Sequence, residues 1–548
     1  MKKIYLFAII NLLSINIEAQ FQWAKREGLN RYDYGYGIIN DNTGNVYVAG
    51  KYEDTAKFSG TTLSCAGNHD IYLAQYSATG TLNWIRTAGG TLGDYAHAVA
   101  CDGTNNVFIA GEIEGYGNVI SFVGSTITLQ SVGDNDVFLS KYNLNGNLLW
   151  AKSDGWKYSD KAQAITYDNS GNVYIGGYYT DTTRFAGTII PGYGKEDAFL
   201  AKYDMNGNFQ WIRKAGSAGR DEIKSIKCDG SGNIYVCGMF SNGAIFSGQT
   251  LTCSPGYFDM FIAKYGSDGT LKWVKKGGGN YDDVAWSLTL DNQNKIYVAG
   301  EFNGDGLFGN THLYTLGNAD IFVNSYDTLG NLNWARRAGG TLIDRARGIG
   351  SDGTNIFITG QYGATANFGT YSTTAVDSSD IFIASLNNSG TFLWAMAVGG
   401  PADLLETLGY ESGNAVCAEA VGNVYATGGL LNGGVFGTTT VSPYSRTDVF
   451  ITKISSINIG VVQNQEIKTI YVYPNPGKGN FVLDISGLSA KKVEVTIYNC
   501  LGQQIITKTN QSSSEINIDL TRNEEGIYIA EIKTEDQIIY RKKLILAR

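Results

Sequence analysis

The chain has 548 residues and a formal net charge of −9, and it contains 70 glycines but only 6 prolines, with aromatic residues at 12%. Frequent glycine and abundant aromatic residues are typical of tight turns between aromatic-rich strands, so we expect an all-β protein. The acidic balance excludes the basic surface that nucleic-acid binding requires, and we expect no nucleic-acid partner.

The first 19 residues predict a secretory signal peptide. Lys2 and Lys3 precede a mostly apolar stretch over residues 4–17, and Ala19 is a suitable small residue before a cleavage site. The apolar stretch is too short, and too interrupted by asparagine, for a good membrane span. We therefore expect an exported chain that begins at Gln20 and has no transmembrane segment once the signal is removed.

An internal repeat follows. A signature of an apolar residue two positions before a tryptophan, followed by alanine or isoleucine and then a basic residue, recurs with small variations at spacings of 60 to 66 residues, which is too regular for chance. The seven repeated tryptophans are Trp23, Trp84, Trp150, Trp211, Trp273, Trp334 and Trp394.

Each repeat predicts four strands. The first strand follows an acid, the second follows a Gly-Asn turn, the third opens with Asp after a looser segment, and the fourth carries the tryptophan. Four short antiparallel strands per repeat is the pattern of a propeller blade. The seventh repeat supplies only three strands, and the stretch around Trp23 supplies the missing fourth. The sequence thus predicts a monomeric seven-bladed β-propeller over residues 20–456, closed by an N-terminal outer strand.

The repeat resembles that of the secreted bacterial β-propeller proteins known by their SBBP repeat. The resemblance is clearest in Ala164-Ile165 with Asp168 to Gly177, followed by Asp197 to Tyr203, and it extends over about residues 21–455. It implies the propeller fold and export, and it says little about chemistry.

One acid occupies the same place just before the first strand of every repeat. In a propeller this strand lies nearest the axis, so the seven acids could encircle one mouth of the channel and hold a cation such as calcium. Alternatively, each acid accepts backbone N–H bonds in its own turn. The members of this predicted acidic ring are Asp33, Asp94, Asp160, Asp221, Asp283, Asp344 and Glu411.

A second position, three residues after each of these acids, is different in every repeat, although the next residue is always Gly, Ala or Ser and the one after it is always aliphatic. Different side chains at equivalent strand positions could line a ligand funnel for a glycan or a protein. Alternatively, these side chains form a solvated rim. The predicted funnel residues are Tyr36, His97, Gln163, Lys224, Trp286, Arg347 and Asn414.

No catalytic motif or metal-ligand spacing occurs, so we expect a non-enzymatic binding module without a cofactor. One rival is an extracellular polysaccharide-active enzyme, for which the best candidate acids are Asp403 and Glu406 in an insertion of the seventh repeat. The other is a purely structural surface or gliding-associated protein. The seven cysteines lack paired spacing and predict buried free thiols, with one bridged pair as the alternative.

After residue 456 the repeat stops, and the sequence predicts a linker over residues 457–468 and a second domain over residues 469–548. Alternating apolar runs predict a small antiparallel β-sandwich there, with strands at Phe481–Ile485, Val493–Tyr498, Ile516–Leu520, Ile527–Ile532 and Ile538–Leu546.

This second domain resembles the type A C-terminal sorting domain of the Bacteroidetes type IX secretion system. The resemblance implies that the type IX machinery is a partner of residues 469–548 and that the protein crosses the outer membrane, to be secreted or held at the cell surface. In that family the domain is commonly removed afterwards. The motif residues are Tyr473, Pro474, Asn475, Pro476, Gly502, Gly526, Lys542 and Lys543.

Overall fold

The computed structural model describes residues 19–455 and 471–547, apart from residues 30, 42, 104, 377, 401–410, 420–421, 432, 443–445, 486–492, 500–502, 511–514 and 535–538. The described residues contain 47 strands and no helix, so the prediction of an all-β chain is confirmed. The chain divides into two compact units, with the boundary at residues 457 and 458. The predicted signal peptide before Ala19, the predicted linker and the insertion with Asp403 and Glu406 lie outside the described residues.

Among the described residues, no helix is long and apolar enough to cross a membrane.

The larger unit begins with β1 (Gln20–Glu27) and continues through seven repeats. Repeat 1 contains β2 (Tyr34–Asn40), β3 (Val46–Tyr52), β4 (Thr55–Phe58), β5 (Thr61–Ser64), β6 (Asp70–Tyr76) and β7 (Leu82–Gly89). Repeat 2 contains β8 (Asp94–Cys101), β9 (Asn106–Glu114), β10 (Val119–Phe122), β11 (Thr128–Gln130), β12 (Asn135–Asn143) and β13 (Leu148–Asp154). Repeat 3 contains β14 (Asp160–Tyr167), β15 (Asn172–Phe185), β16 (Thr188–Asp204) and β17 (Phe209–Gly216).

The next two repeats contain β18 (Glu222–Cys228), β19 (Ile234–Ser241), β20 (Ala244–Phe246), β21 (Gln249–Leu251), β22 (Phe258–Tyr265) and β23 (Leu271–Gly279); and β24 (Val284–Leu290), β25 (Ile296–Phe302), β26 (Asp305–Phe308), β27 (Thr311–Tyr314), β28 (Asp320–Tyr326) and β29 (Leu332–Ala338). The last two contain β30 (Arg345–Ser351), β31 (Asn355–Tyr362), β32 (Thr365–Phe368), β33 (Tyr371–Thr374), β34 (Asp380–Asn387) and β35 (Phe392–Val398); and β36 (Ser412–Ala418), β37 (Asn423–Leu430), β38 (Gly434–Phe436), β39 (Thr439–Val441) and β40 (Asp448–Ser455).

Each repeat folds its four longer strands into one antiparallel sheet, numbered here sheet 1 to sheet 7 in chain order. In sheet 7 the strand order is β1-β40-β37-β36, because the N-terminal strand pairs with the last strand of the repeats from Gln20 opposite Ser455 to Glu27 opposite Val449. The first strands of successive sheets also contact one another, from β2 through β8, β14, β18, β24 and β30 to β36, and β36 contacts β2. This series of contacts therefore returns to its starting strand.

Five of the seven repeated tryptophans form a hydrogen bond from one sheet to the next. The Trp84 Nε1–H donates to the carbonyl of Leu144, 2.9 Å away in the glycine turn of the following sheet, and Trp23, Trp150, Trp273 and Trp334 make the equivalent bond. The turn glycine Gly146 has a φ of +77°, and a Cβ there would lie 2.8 Å from the Trp84 ring, so only glycine fits. The tryptophan thus acts in packing between sheets.

The segment between the second and third strands, which the sequence predicts to be loose, forms a short hairpin in six repeats and extends the long β15–β16 hairpin in the other. In three of these hairpins the first strand, β10, β20 or β26, pairs with the outer strand of the preceding sheet. The hairpins therefore tie neighbouring sheets together, and each buries one phenylalanine: Phe58, Phe122, Phe185, Phe246, Phe308, Phe368 and Phe436.

The six described cysteines are all free, and Cys500 lies outside the described residues.

The smaller unit contains β41 (Tyr471–Tyr473), β42 (Asn480–Asp484), β43 (Val493–Asn499), β44 (Gln504–Asn510), β45 (Glu515–Asp519), β46 (Gly526–Thr534) and β47 (Ile539–Leu546). They form a three-stranded sheet in the order β41-β42-β45 and a four-stranded sheet in the order β44-β43-β46-β47, and all strand pairs are antiparallel. Both sheets contribute to one apolar core, which includes Leu483, Ile518, Val495 and Ile532. The five strands predicted from the sequence are present, and β41 and β44 are additional.

Candidate functional site: a bulge-lined cavity

Each of the seven predicted funnel residues is the extra residue of a β-bulge in the first strand of its sheet. In sheet 1 the ladder of β2 with β3 pairs Gly35 and Gly37 with consecutive partners, which leaves Tyr36 between them without a cross-strand partner. The same shift brackets the other six members, His97, Gln163, Lys224, Trp286, Arg347 and Asn414. A bulge bends the strand and re-aims a side chain. We call these seven residues the bulge ring.

The bulge ring lines a cavity in the larger unit. All seven members border a mouth of about 340 Å³ and a narrower region of about 150 Å³ next to it. The mouth has a volume at the lower end of the range for small-molecule sites. The structure therefore brings together every residue of the predicted funnel, while the role of that funnel in binding stays a prediction.

Aromatic rings form one side of the mouth. Tyr36 stacks on Tyr34 with ring centroids 5.8 Å apart and packs against His97 at 5.4 Å, and His97 stacks on Tyr95 at 5.7 Å. The rings come from the first strands of sheets 1 and 2, so the aromatic surface crosses from one sheet to the next. Such rings offer flat apolar faces with polar edges.

The opposite side of the mouth is built around Trp286. The Lys224 ammonium and the Arg347 guanidinium each lie 4.9 Å from the centroid of its ring, an arrangement in which both cations are attracted to the indole. The indole Nε1–H donates to Glu301 at 3.1 Å, which fixes the ring in place. The three residues belong to consecutive sheets, so the cluster exists only when sheets 4, 5 and 6 are packed together.

Two buried carboxylates, Glu112 and Glu222, also line the mouth, and both are paired with cationic neighbours. Glu112 accepts bonds from His97 at 3.1 Å and Lys161 at 2.8 Å. Burial raises the pKa of Glu112, but the bonds and charges of its partners outweigh burial and lower that pKa to about 2. Glu222 is bonded to Lys224 at 2.5 Å and Arg220 at 2.8 Å, and its pKa is likewise lowered against the effect of burial.

Sequence reasoning missed these charged partners. Glu112 and Tyr178 follow the constant glycine of a second strand, and Lys161 and Glu222 come directly after the first acid of their repeats. Both positions vary from repeat to repeat as the bulge position does, and that variation was the signal that could have found them. They line the mouth together with Arg220.

The predicted acidic ring has a different environment. Its seven members are almost fully buried, and none of them lines either part of the cavity. Asp283 accepts backbone N–H bonds from Gly279 at 2.7 Å and Asn303 at 3.0 Å, and Asp344 does the same with Gly340 at 2.7 Å and Gly363 at 3.1 Å. In six repeats the acid accepts the N–H of the residue four positions before it. The geometry is that of loop-clamping acids.

Each of the six aspartates of the acidic ring has a second buried aspartate near it, from the third strand of the preceding sheet. A Cβ on Gly278, whose φ is +139°, would lie 2.6 Å from Asp283 Oδ2 and 2.7 Å from Asp259 Oδ1, so this glycine lets two carboxylates approach. Burial, with the neighbouring Asp259 charge adding to it, raises the pKa of Asp283 to about 8. Burial also raises the pKa of Asp33, Asp94 and Asp221 to about 7 and that of Asp344 to about 6.

No group of three or more His, Cys, Asp or Glu side chains within the described part of the chain is arranged to hold a metal ion. A cation at the acidic ring stays a prediction.

The sorting-motif residues lie in the smaller unit, where Asn475 joins the motif loop to the last strand. Its Nδ2–H donates to the Lys543 carbonyl at 2.6 Å, and its Oδ1 accepts from the Ile545 N–H at 2.8 Å. The Tyr473 hydroxyl donates to Glu515 at 2.9 Å. Lys542 and Lys543 lie on β47, opposite Ala530 and Ile529 of β46. Pro474 and Pro476 flank Asn475, Gly526 has a φ of +154°, and Gly502 lies outside the described residues.

Residues 471–547 match the family model of the secretion system C-terminal sorting domain. The match supports export through type IX secretion, to the cell surface or the extracellular space. It agrees with a 39% identity over 87 residues, 16% of this chain and 16% of the relative, to an ulvan lyase of Nonlabens ulvanivorans.

The chain is also 21% identical over 481 residues to an uncharacterized WD repeat-containing protein of Acanthamoeba polyphaga mimivirus, a match that covers 70% of this chain and 34% of the relative. The chain thus spans about a third of that relative's length. Among solved structures, puromycin hydrolase is similar at 10% identity and a TM-score of 0.38, over 92% of this chain and 59% of that protein. A TM-score this low supports no inference about fold.

Proposed function

We propose that residues 20–456 form a seven-bladed β-propeller of the SBBP repeat type. Four-stranded antiparallel sheets and a series of first-strand contacts that returns to its start are what a propeller requires. The pairing of β1 with β40 would close the ring and remove an exposed sheet edge. Similarity to a WD repeat-containing protein over 70% of the chain also favours a repeat architecture.

This propeller is a non-catalytic binding module for a glycan or protein ligand, acting as a monomer at the cell surface or in the extracellular space. The observation that carries the proposal is the bulge ring: seven different side chains, freed from the ladder at equivalent positions, converge on one cavity. A fixed frame with variable residues around a mouth suits ligand selection. The type IX machinery, acting on residues 469–548, delivers the module.

The rival function of a polysaccharide-active enzyme has less support. A general acid needs a carboxyl whose pKa is raised towards neutrality and which faces the substrate. The two carboxylates that line the mouth, Glu112 and Glu222, have lowered pKa values and are paired with cations. The acids with raised pKa values, such as Asp283, are committed to loop N–H groups outside the cavity.

The test is binding by the chain from Gln20 to its C-terminus, immobilised and screened against a glycan array and extracellular proteins. Trp286→Ala and Arg347→Ala should each abolish or strongly weaken capture of the selected ligand. Arg31→Gln, an exposed charge in the loop before Asp33, is the matched control and should bind as the wild type does. Capture that survives both mouth substitutions unchanged would contradict the proposal.

A further inference from the structure

Arg347 is the one member of the bulge ring that carries a charge without a carboxylate partner among the described residues. Its guanidinium makes no hydrogen bond or ion pair there, and its Nε is buried. The charge of Glu301 favours the protonated guanidinium, but both carboxylate oxygens of Glu301 are already bonded, one to Trp286 and one to Arg345. Burial lowers the pKa of Arg347, because desolvation opposes the charge. A desolvated cation without an anion is costly, which suggests that the anion arrives with a ligand.

The charges lining the mouth support this view. Lys161, Arg220, Lys224 and Arg347 border it together with the carboxylates of Glu112 and Glu222. Outside the lining, Glu196 also pairs with Arg220. Each carboxylate is shared: Glu112 serves His97 and Lys161, while Glu222 serves Lys224, Arg220 and Gln163. Neither carboxylate of the mouth bonds Arg347, so a cation without an ion-pair partner among the described residues lies beside the Trp286 ring.

The mouth also offers an unused acceptor. Gln163 donates its amide to Glu222 at 2.9 Å, and its Oε1 is buried without a partner among the described residues. A ligand that fits must therefore bring an anionic group for Arg347 and a hydrogen-bond donor, such as a hydroxyl, for Gln163. Tyr36 and His97 also line the mouth, and their partly exposed rings give it an aromatic surface that suits the less polar face of a sugar ring.

From these features we propose that the ligand is an acidic glycan, bound through a sugar residue whose anionic group pairs with the Arg347 guanidinium. The planar guanidinium matches a carboxylate in a two-bond geometry, and a sulfate ester offers the same oxygens. The hydroxyls of the sugar donate to Gln163 Oε1, and the sugar ring lies between the Trp286 side and the Tyr36 side. The volume of about 340 Å³ accommodates a sugar of about one or two rings. This inference rests on the proposed binding function.

The experiment measures binding of the chain from Gln20 to its C-terminus to defined oligosaccharides by calorimetry. The probes are galacturonate, glucuronate-containing and mannuronate oligomers, their carboxyl-reduced neutral counterparts, and a sulfated galactan oligomer. At least one acidic probe should bind about tenfold or more tightly than its neutral counterpart. A preference for the sulfated probe over all uronates would assign the anionic group as sulfate, within the same proposal.

Three variants locate the anion. Arg347→Gln should reduce binding of the acidic probe to the level of the neutral one, and Arg347→Lys should retain part of the preference because the charge stays while the two-bond geometry is lost. Arg31→Gln controls for net charge and should change nothing. Melting temperatures of all variants show whether each is folded.

Equal binding of acidic and neutral probes, or a preference that Arg347→Gln leaves intact, would overturn the acidic-glycan inference. Failure of every acidic probe to bind would also overturn it. The proposed function is judged separately by Trp286→Ala. If a neutral glycan or a protein binds and this substitution abolishes the binding, the module stands and only the ligand class is wrong.

Discussion

The acidic ring lies at or just before the start of the seven first strands and the bulge ring lies three residues further along, yet the two rings are opposite in character. The acids are nearly identical from sheet to sheet, buried and bonded to their own loops. The bulged residues are all different, and they face a shared cavity. In each repeat, the acid that bonds to the backbone is therefore nearly constant, whereas the residue three positions later, which lines the cavity, varies.

The physical reason lies in the hydrogen bonds that each position must satisfy. A clamp acid such as Asp344 accepts two backbone N–H groups that would otherwise be buried without acceptors, and every sheet has the same loop to hold. A bulged residue such as Arg347 has no cross-strand partner to match. The ladder therefore does not fix its identity, and the residue can vary with its neighbours in the mouth, as Arg347 does beside Trp286.

Deleting residues 21–27 should have the largest effect, because it breaks both rings at once. The strand that would be lost pairs along β40, and its Glu27 accepts from the Ser59 and Tyr76 hydroxyls at 2.6 and 3.1 Å. Without it, sheet 7 loses its outer strand and the aromatic contact of Phe21 with Phe436. We expect loss of the cooperative thermal transition of the larger unit, measured by calorimetry.

Trp23→Ala serves as the control for this deletion. It removes one partly buried ring and its bond to the Ala78 carbonyl but leaves the ladder in place, so it should lower the melting temperature much less. An unchanged melting temperature after the deletion would show that the N-terminal strand is a dispensable edge.

The acidic ring should make stability fall as the pH rises. The pKa of Asp33, Asp94 and Asp221 is raised by burial to about 7, and that of Asp283 to about 8, above the ordinary value of 3.8. Between about pH 4 and pH 8 the folded state therefore holds protons that the unfolded state has lost, so the free energy of unfolding decreases with pH. One pKa unit corresponds to about 1.4 kcal/mol.

The measurement is the melting temperature of the chain from about pH 5 to about pH 8.5, which should decline across that range. Asp283→Asn cannot ionise, so its curve should be flatter than that of the wild type. Glu112, whose pKa is about 2, gains its stabilising charge below this window and does not mask the slope. A melting temperature that rises towards pH 8.5 would show that the clamp acids are ionised in the folded state, for example beside a bound cation.

The repeats were predictable because every sheet uses the same residue types at the same positions of its strands and turns. The tryptophan spacing and the Asp that opens each third strand are visible by eye, and the structure places them where the sequence predicts. The short hairpins were missed, although Phe58 and Phe122 recur at matching places, because a four-residue strand has too little alternation to detect. Their pairing with a preceding sheet is a tertiary contact that local pattern does not encode.

The bulge ring was predicted in its members but not in its geometry, and the charged residues that share its cavity were missed. Strict alternation puts Tyr36 and Ile38 on one face of β2, whereas the ladder skips Tyr36. The bulge depends on the register between two strands, and the sequence shows only small residues on either side, such as Gly35 and Gly37. The ion pair of Glu112 with Lys161 joins two different sheets, so the pattern of a single strand could not predict it.

The smallest expected effect gives the sharpest contrast between the rings, because it compares two substitutions on neighbouring positions. Asp344→Ala removes the acceptor of the Gly340 and Gly363 N–H groups, which should destabilise the larger unit by about 2–4 kcal/mol. Arg347→Ala removes a cation without a hydrogen-bond or ion-pair partner among the described residues, so its effect should lie within about 1 kcal/mol of zero and could be stabilising. Chemical denaturation at neutral pH measures both. If Arg347→Ala destabilises as much as Asp344→Ala, Arg347 is part of the frame, and the division between a constant structural ring and a variable ligand-facing ring fails.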